Sequence, residues 1–154
     1  MHGVNFLSFQ YLFAADRQIH QEEIIEHLKS GATVVSDRYF WSGVAYGIAD
    51  REGMDYENWE NVSIVALSLL SMYHQFIIPD LTIYLDVTLE ESLRRLKGST
   101  KHTEIYDNHA TNIKVKKGYE WLIQKFPEEI TVIDGERSIE EVTKQMIEEI
   151  EKRK

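Results

Sequence analysis

The chain contains no cysteine, which excludes disulfides, thiolate metal sites and a cysteine nucleophile and leaves a reducing compartment fully compatible. Positive charge is also scarce. Lys and Arg number 17 against 26 Asp and Glu, a formal net charge of -9. A broad basic face for phosphate neutralisation is therefore absent, so the expected partners are small molecules or proteins and not nucleic acid. No long hydrophobic run occurs. The longest apolar stretch, residues 63–72, is too short and interrupted to cross a bilayer, and the N-terminal residues lack the basic start and apolar core of a signal peptide. No membrane association is expected, and cytoplasm is the expected location. With two prolines, eight glycines and neither repeats nor low-complexity segments, the 154 residues read as one domain, 1–154.

Helical and strand periods alternate along this domain. Residues 10–29 carry Leu12, Ile24, Ile25 and Leu28 at helical spacing opposite Glu22, Glu23 and Glu26, with Gly31 as a stop. Residues 32–36 are a short β-branched run before Asp37 and Arg38, the pattern of a buried strand ending at a functional edge. A helix begins near Ser42 and a longer one is expected over residues 57–76, with Trp59, Val62, Ala66, Leu69, Leu70, Tyr73 and Phe76 inward. Residues 81–87 form the clearest strand, and Thr88 with Glu91 reads as a capping box for the next helix. After a polar insert, residues 110–126 resume helical character. Residues 130–133 read as a third strand, and Ser138 with Glu141 as a second capping box. Strands interleaved with helices favour a parallel sheet, because each crossover must return the chain to the same end. Ligands of such sheets collect beyond the strands' carboxyl ends, where Asp37–Arg38 and Asp134–Gly135 are expected.

Several residues on this frame carry chemistry. Phe13 and Arg17, four apart on one helix face, suit stacking on a base and donation to its carbonyl; spacing alone favours a core phenylalanine beside a surface arginine. Arg38 offers the fork of donors that suits phosphate, with Asp37 able to orient it or to help hold a magnesium-bound phosphate. A strand-end salt bridge is the alternative. Ser42 and Tyr46, again four apart, point together from one helix, with Tyr46 serving either binding or packing. Tyr39 and Trp41 are assigned mainly to the core. Lys97, Lys101 and His102 bring positive charge into the insert at 97–109, where a lid would meet a transferred phosphoryl group; solvated loop lysines are the plainer reading. No histidine has metal-ligand spacing.

Three of these segments together resemble the thymidylate kinase family. Residues 13–17 (Phe-Ala-Ala-Asp-Arg) with Gln18 and His20 resemble its base-holding helix. Residues 37–46, Asp-Arg-Tyr continuing to Tyr46, resemble its Asp-Arg-Tyr box in the eukaryotic, archaeal and viral form. Residues 79–87 resemble its fourth strand. In the lid, His102, Tyr106, Asp107 and Asn108 are similar to the eukaryotic-type tail, but the arginine often found there is absent. The resemblance runs from about Leu12 to the C-terminus. It implies a three-layer α/β/α fold of the P-loop NTPase type and transfer of the γ-phosphoryl group of ATP to dTMP, giving dTDP, with Mg2+. Phe13, Arg17, Ser42 and Tyr46 would contact base and sugar, with Tyr46 against a 2′-hydroxyl, and Arg38 the acceptor phosphate. Lys97, Lys101, His102 and Tyr106 would form a lid, and the protein would be a homodimer.

Phosphoryl transfer from ATP needs a G-x-x-x-x-G-K-[ST] loop, and these residues contain none. In the family that loop and the first strand precede the base-holding helix. Either the strands at 32–36 and 81–87 pair directly, or another chain supplies the strand between them, or the sequence is truncated or split, and truncation or a split gene is the expectation. The alternatives to a kinase are a non-catalytic monophosphate-binding protein, a subunit of a split kinase, and an interaction domain that keeps only the fold. A kinase for another monophosphate, such as dUMP, also remains open.

Overall fold

The computed structural model describes residues 6–51, 53–97 and 109–153. Its elements are α1 (Phe6–Lys29), α2 (Phe40–Ala49), α3 (Trp59–Leu70) with a 3-10 turn at Ser71–Tyr73, β1 (Thr82–Asp86), α4 (Leu89–Lys97), α5 (His109–Lys125), β2 (Ile130–Asp134) and α6 (Ile139–Glu151). The fold is α/β with a parallel sheet. The chain forms two compact units. One comprises Met1–Ile77 with Lys114–Trp121 from the middle of α5; the other comprises Ile78–Ile113 and Leu122–Lys154.

The first unit is built around α2. A helix apolar on all sides is stable only when surrounded, and Val44, Ala45 and Ile48 are wholly buried with Phe40, Trp41 and Ala49 close behind. From α3, Val62, Ala66 and Leu69 cover it, followed by Tyr73 and Phe76. Tyr39, Phe40, Tyr73 and Phe76 pack as an aromatic cluster, with Tyr73 and Phe76 edge to face at 5.1 Å. Val115 and Trp121 of α5 add to this core, and the Trp121 indole N–H donates to Ser63 Oγ at 3.2 Å. Between them Gly118 meets α2 directly: an added Cβ would lie 2.7 Å from the Ala45 carbonyl oxygen. Helix α3 is shorter than its apolar period predicts. Asn58 caps it by accepting from the Glu60 and Asn61 N–H groups, so it starts at Trp59, whose ring is 40% exposed and not inward.

In the second unit β1 and β2 pair in parallel, with Thr82 opposite Ile130 and Asp86 opposite Asp134. Ile130, Ile133 and Leu122 are buried there. The Gly135 N–H donates to the Asp86 carbonyl at 2.8 Å, extending the ladder by one bond. Ser138 and Glu141 form the expected capping box on α6. The box expected at Thr88 and Glu91 is only half made. Thr88 Oγ1 accepts from the Glu91 N–H, but the Glu91 carboxylate is held by Arg94 and Arg95, at 2.6 and 2.7 Å. Glu136 takes its place and accepts from the Thr88 N–H at 2.8 Å.

The third strand is not formed. Residues 32–36 run extended and exposed, Val35 by 85%, and the described sheet has two strands. β-branched residues fit a pleated surface, but a strand exists only through its ladder, and no described backbone pairs with this segment. Asp37 and Arg38 follow an extended segment instead of ending a strand.

Candidate functional site

All of the candidate residues described in detail lie in the first unit. On α1 the helical repeat puts Phe13, Arg17 and Gln21 on one face. The Arg17 guanidinium stands over the Phe13 ring, 5.5 Å from its centroid. Phe9, one turn earlier, stacks against the same ring at 6.3 Å, yet Phe13 is 44% exposed, which a wholly core phenylalanine would not be. Gln21 is buried and anchors this face. Its amide N–H donates to the Arg17 carbonyl at 3.0 Å, while its side-chain oxygen accepts from the Tyr39 hydroxyl at 2.8 Å and from the Ile77 N–H at 3.1 Å. One glutamine thus joins α1 to the start of α2 and to the segment after the 3-10 turn.

Arg17 is directed inward, toward Gly43 of α2. A Cβ at Gly43 would sit 2.3 Å from the Tyr73 hydroxyl and 3.2 Å from Arg17 Nη1, so only glycine leaves both groups room. Arg17 Nη1 and the Tyr73 hydroxyl are both buried without a hydrogen-bond partner among the described residues. Burial pushes the Tyr73 phenol up, and the charge and close approach of the Arg17 guanidinium partly offset this, so the two groups face each other without a well-formed hydrogen bond. An unmatched buried donor is costly and marks a position where a ligand acceptor would be favoured.

Arg38 precedes α2 with φ of +71°, the left-handed region that a β-carbon makes unfavourable. The Ser36 hydroxyl donates to the Arg38 carbonyl at 2.7 Å, stabilising this bend. Its guanidinium donates to the Tyr46 hydroxyl at 2.9 Å and lies 5.2 Å from the centre of the Tyr46 ring. Burial alone would lower its pKa, but Tyr46, then Tyr119 and Asp37, outweigh burial and hold it above the ordinary arginine value. Arg38 is therefore a permanent cation, still solvent-exposed, in a backbone conformation of the strained kind found at functional sites. Asp37 is exposed beside it.

Ser42 is 8% exposed, and its hydroxyl shares a 2.8 Å hydrogen bond with the Tyr119 hydroxyl of α5. Burial raises the Tyr119 phenol pKa; Ser42, Arg38 and Arg17 pull it down and the Tyr46 phenol adds to the rise. Arg17, Arg38, Ser42 and Tyr46 thus gather around α2, with Phe13 over Arg17. Trp41 is buried as expected for the core. Lys97 ends α4 in the second unit; Lys101, His102 and Tyr106 lie outside the described residues, as does most of the expected lid at 97–109. Sequence reasoning missed Gln21, Tyr73 and Tyr119. Gln21 had a signal, since it sits one turn beyond Arg17, and so did Tyr119, beside a mid-helix glycine that a packing contact would justify.

Among the described residues no three His, Cys, Asp or Glu side chains gather into a metal-binding group. No described helix is long and apolar enough to cross a membrane.

A family model described as thymidylate kinase matches residues 1–146. A probable thymidylate kinase of Thermococcus gammatolerans is 34% identical over 137 residues, covering 88% of this chain and 60% of that protein. A thymidylate kinase of Mesoplasma florum is 37% identical over 135 residues, covering 85% and 60%. The solved thymidylate kinase of Candida albicans superposes with a TM-score of 0.79 at 28% identity, covering 97% of this chain and 68% of that structure. The chain thus spans about 60% of the length of these curated relatives. With 146 residues matched by the family model, this chain belongs to the thymidylate kinase family.

Proposed function

We propose that the chain supplies the nucleoside-monophosphate site of a thymidylate kinase, the enzyme that transfers the γ-phosphoryl group of ATP to dTMP to give dTDP. The observation that carries this reading is the buried Arg17 Nη1, which makes no well-formed hydrogen bond, beside the half-exposed Phe13 ring. That pair is shaped to stack on a pyrimidine and to donate to its carbonyl. Arg38 binds the acceptor phosphate, exchanging its bond to Tyr46 for charge-assisted bonds to phosphate oxygens. Ser42 and Tyr46 face the base and sugar from α2, with Tyr46 disfavouring a 2′-hydroxyl.

Magnesium takes oxygen ligands and usually keeps several waters, bound by one or two carboxylates and the substrate's phosphates. Asp37, exposed beside Arg38, fits the carboxylate part of such a set. There the ion would neutralise charge on the transferred phosphoryl group. The described residues offer no glycine-rich cradle for a triphosphate, so no step of the transfer is assigned to them. Their contribution is to hold and orient the acceptor, which in phosphoryl transfer is a large part of catalysis. Homodimerisation and a cytoplasmic location belong to the same reading.

Calorimetric titration of the chain with dTMP tests it, followed by Mg-ATP and a coupled assay for ADP. The chain is expected to bind dTMP, with Arg17→Met and Arg38→Ala each weakening binding by roughly ten- to a hundredfold, the worth of one hydrogen bond to a charged group. Binding unchanged in both variants overturns the site. Binding of dTMP without ADP release points to a non-catalytic binder or to a subunit of a split kinase. Binding of dUMP as tight as that of dTMP removes the preference for thymine.

A further inference from the structure

Helix α5 brings a residue into the monophosphate site that neither its motifs nor its helix positions single out. Gly118 allows this. An added Cβ there would meet the Ala45 carbonyl oxygen, Cα and carbonyl carbon at 2.7, 3.0 and 3.2 Å, so the two backbones are in direct contact. With the helices that close, Tyr119 reaches Ser42, one turn before Ala45 on α2, and their hydroxyls are 2.8 Å apart. Its phenol also lies within electrostatic reach of Arg38, Arg17 and Tyr46. It therefore touches the arrangement from a third helix, after the α1 pair and the residues on and before α2.

A serine hydroxyl rotates freely unless a neighbour directs it. Either hydroxyl can donate in this 2.8 Å bond; the phenol is the stronger acid, which favours Tyr119 as donor and Ser42 Oγ as acceptor. The Ser42 proton is then released to point elsewhere. We propose that Tyr119 is a positioning residue of this site, which fixes Ser42 as a directed donor toward an acceptor oxygen of a bound nucleoside monophosphate. The inference rests on the monophosphate-site reading above. It assigns Ser42 a polarity, donor toward ligand, which neither helix spacing nor the position of Ser42 on α2 specifies.

A double-mutant cycle tests it. The chain, Tyr119→Phe, Ser42→Ala and the double variant are each titrated with dTMP, and their melting temperatures are recorded. Phenylalanine keeps the ring and removes the hydroxyl. Each single variant is expected to lose about three- to tenfold in dTMP affinity, the worth of one neutral hydrogen bond, and the double variant no more than the weaker single one. In tyrosine-13C-labelled protein, the ring resonance that Tyr119→Phe removes is expected to shift on adding dTMP. Losses that multiply, an unshifted resonance, or a Tyr119→Phe chain that binds like the parent overturns the inference alone. Failure of Tyr119→Phe to fold also overturns it, since the hydroxyl would then be structural. Absence of dTMP binding by the parent chain overturns the site reading and this inference with it.

Discussion

Replacing Gly118 with alanine sets two effects of opposite sign against each other. Alanine in a helix interior is favoured over glycine by about 0.5–1 kcal/mol, because glycine loses more backbone entropy on folding. Against this, the new methyl would meet three atoms of the Ala45 backbone at 2.7, 3.0 and 3.2 Å. Carbon contacts are optimal at about 3.5–4.0 Å, so α5 must back away from α2 by roughly 0.5–1 Å. Backbone atoms cannot rotate aside as a leucine terminus can. Such overpacking costs about 1–3 kcal/mol, and Val115 and Trp121 on the same side of α5 would lose contact together. The expected net is destabilisation by about 1–2 kcal/mol, read by urea or thermal unfolding. The same retreat stretches the 2.8 Å Ser42–Tyr119 bond toward its limit of about 3.5 Å, so dTMP affinity should fall with stability. A Gly118→Ala chain more stable than the parent, by the full helix-propensity gain, would refute the close-contact argument.

Three further outcomes follow from other parts of the chain. Arg38→Gly and Arg38→Ala both remove the guanidinium and should both weaken dTMP binding, but the left-handed φ of +71° penalises only the alanine, so the glycine variant should unfold at higher urea by about 1 kcal/mol. Equal stability of the two would show that position 38 carries no strain. The Glu91 carboxylate, held by Arg94 and then Arg95, has its pKa lowered from 4.5 to about 2. Its contribution is therefore whole above about pH 4.5 and disappears as pH falls toward 2; a stability difference between the parent and Glu91→Gln that persists at pH 2 would contradict this. Ser138→Ala removes one arm of the α6 capping box and should cost about 1 kcal/mol in unfolding experiments, leaving dTMP binding unchanged.

Much of this was legible in local pattern. The helical period of α1 and the stop at Gly31, the β-branched run of β1, and the Ser138–Glu141 box all depend on residues within a few positions of one another, where propensity and capping act. The pairs Phe13 with Arg17 and Arg38 with Tyr46 follow from helix geometry and chain proximity. Sequence therefore determined most of the elements, the α/β order and which side chains gather around α2.

Tertiary structure decided what depends on a distant partner. Residues 32–36 have the composition of a strand, yet a ladder needs a second backbone, and no property of five residues supplies one. Glu91 had the right spacing to complete a cap on Thr88, but two arginines on its own helix hold its carboxylate and Glu136, far along the chain, does the capping. Tyr119 and Ser42 are 77 residues apart, and only the contact of Gly118 with Ala45 brings them together. Which buried groups are satisfied depends on packing between helices, because a hydrogen bond is set by position in space and not by distance along the chain.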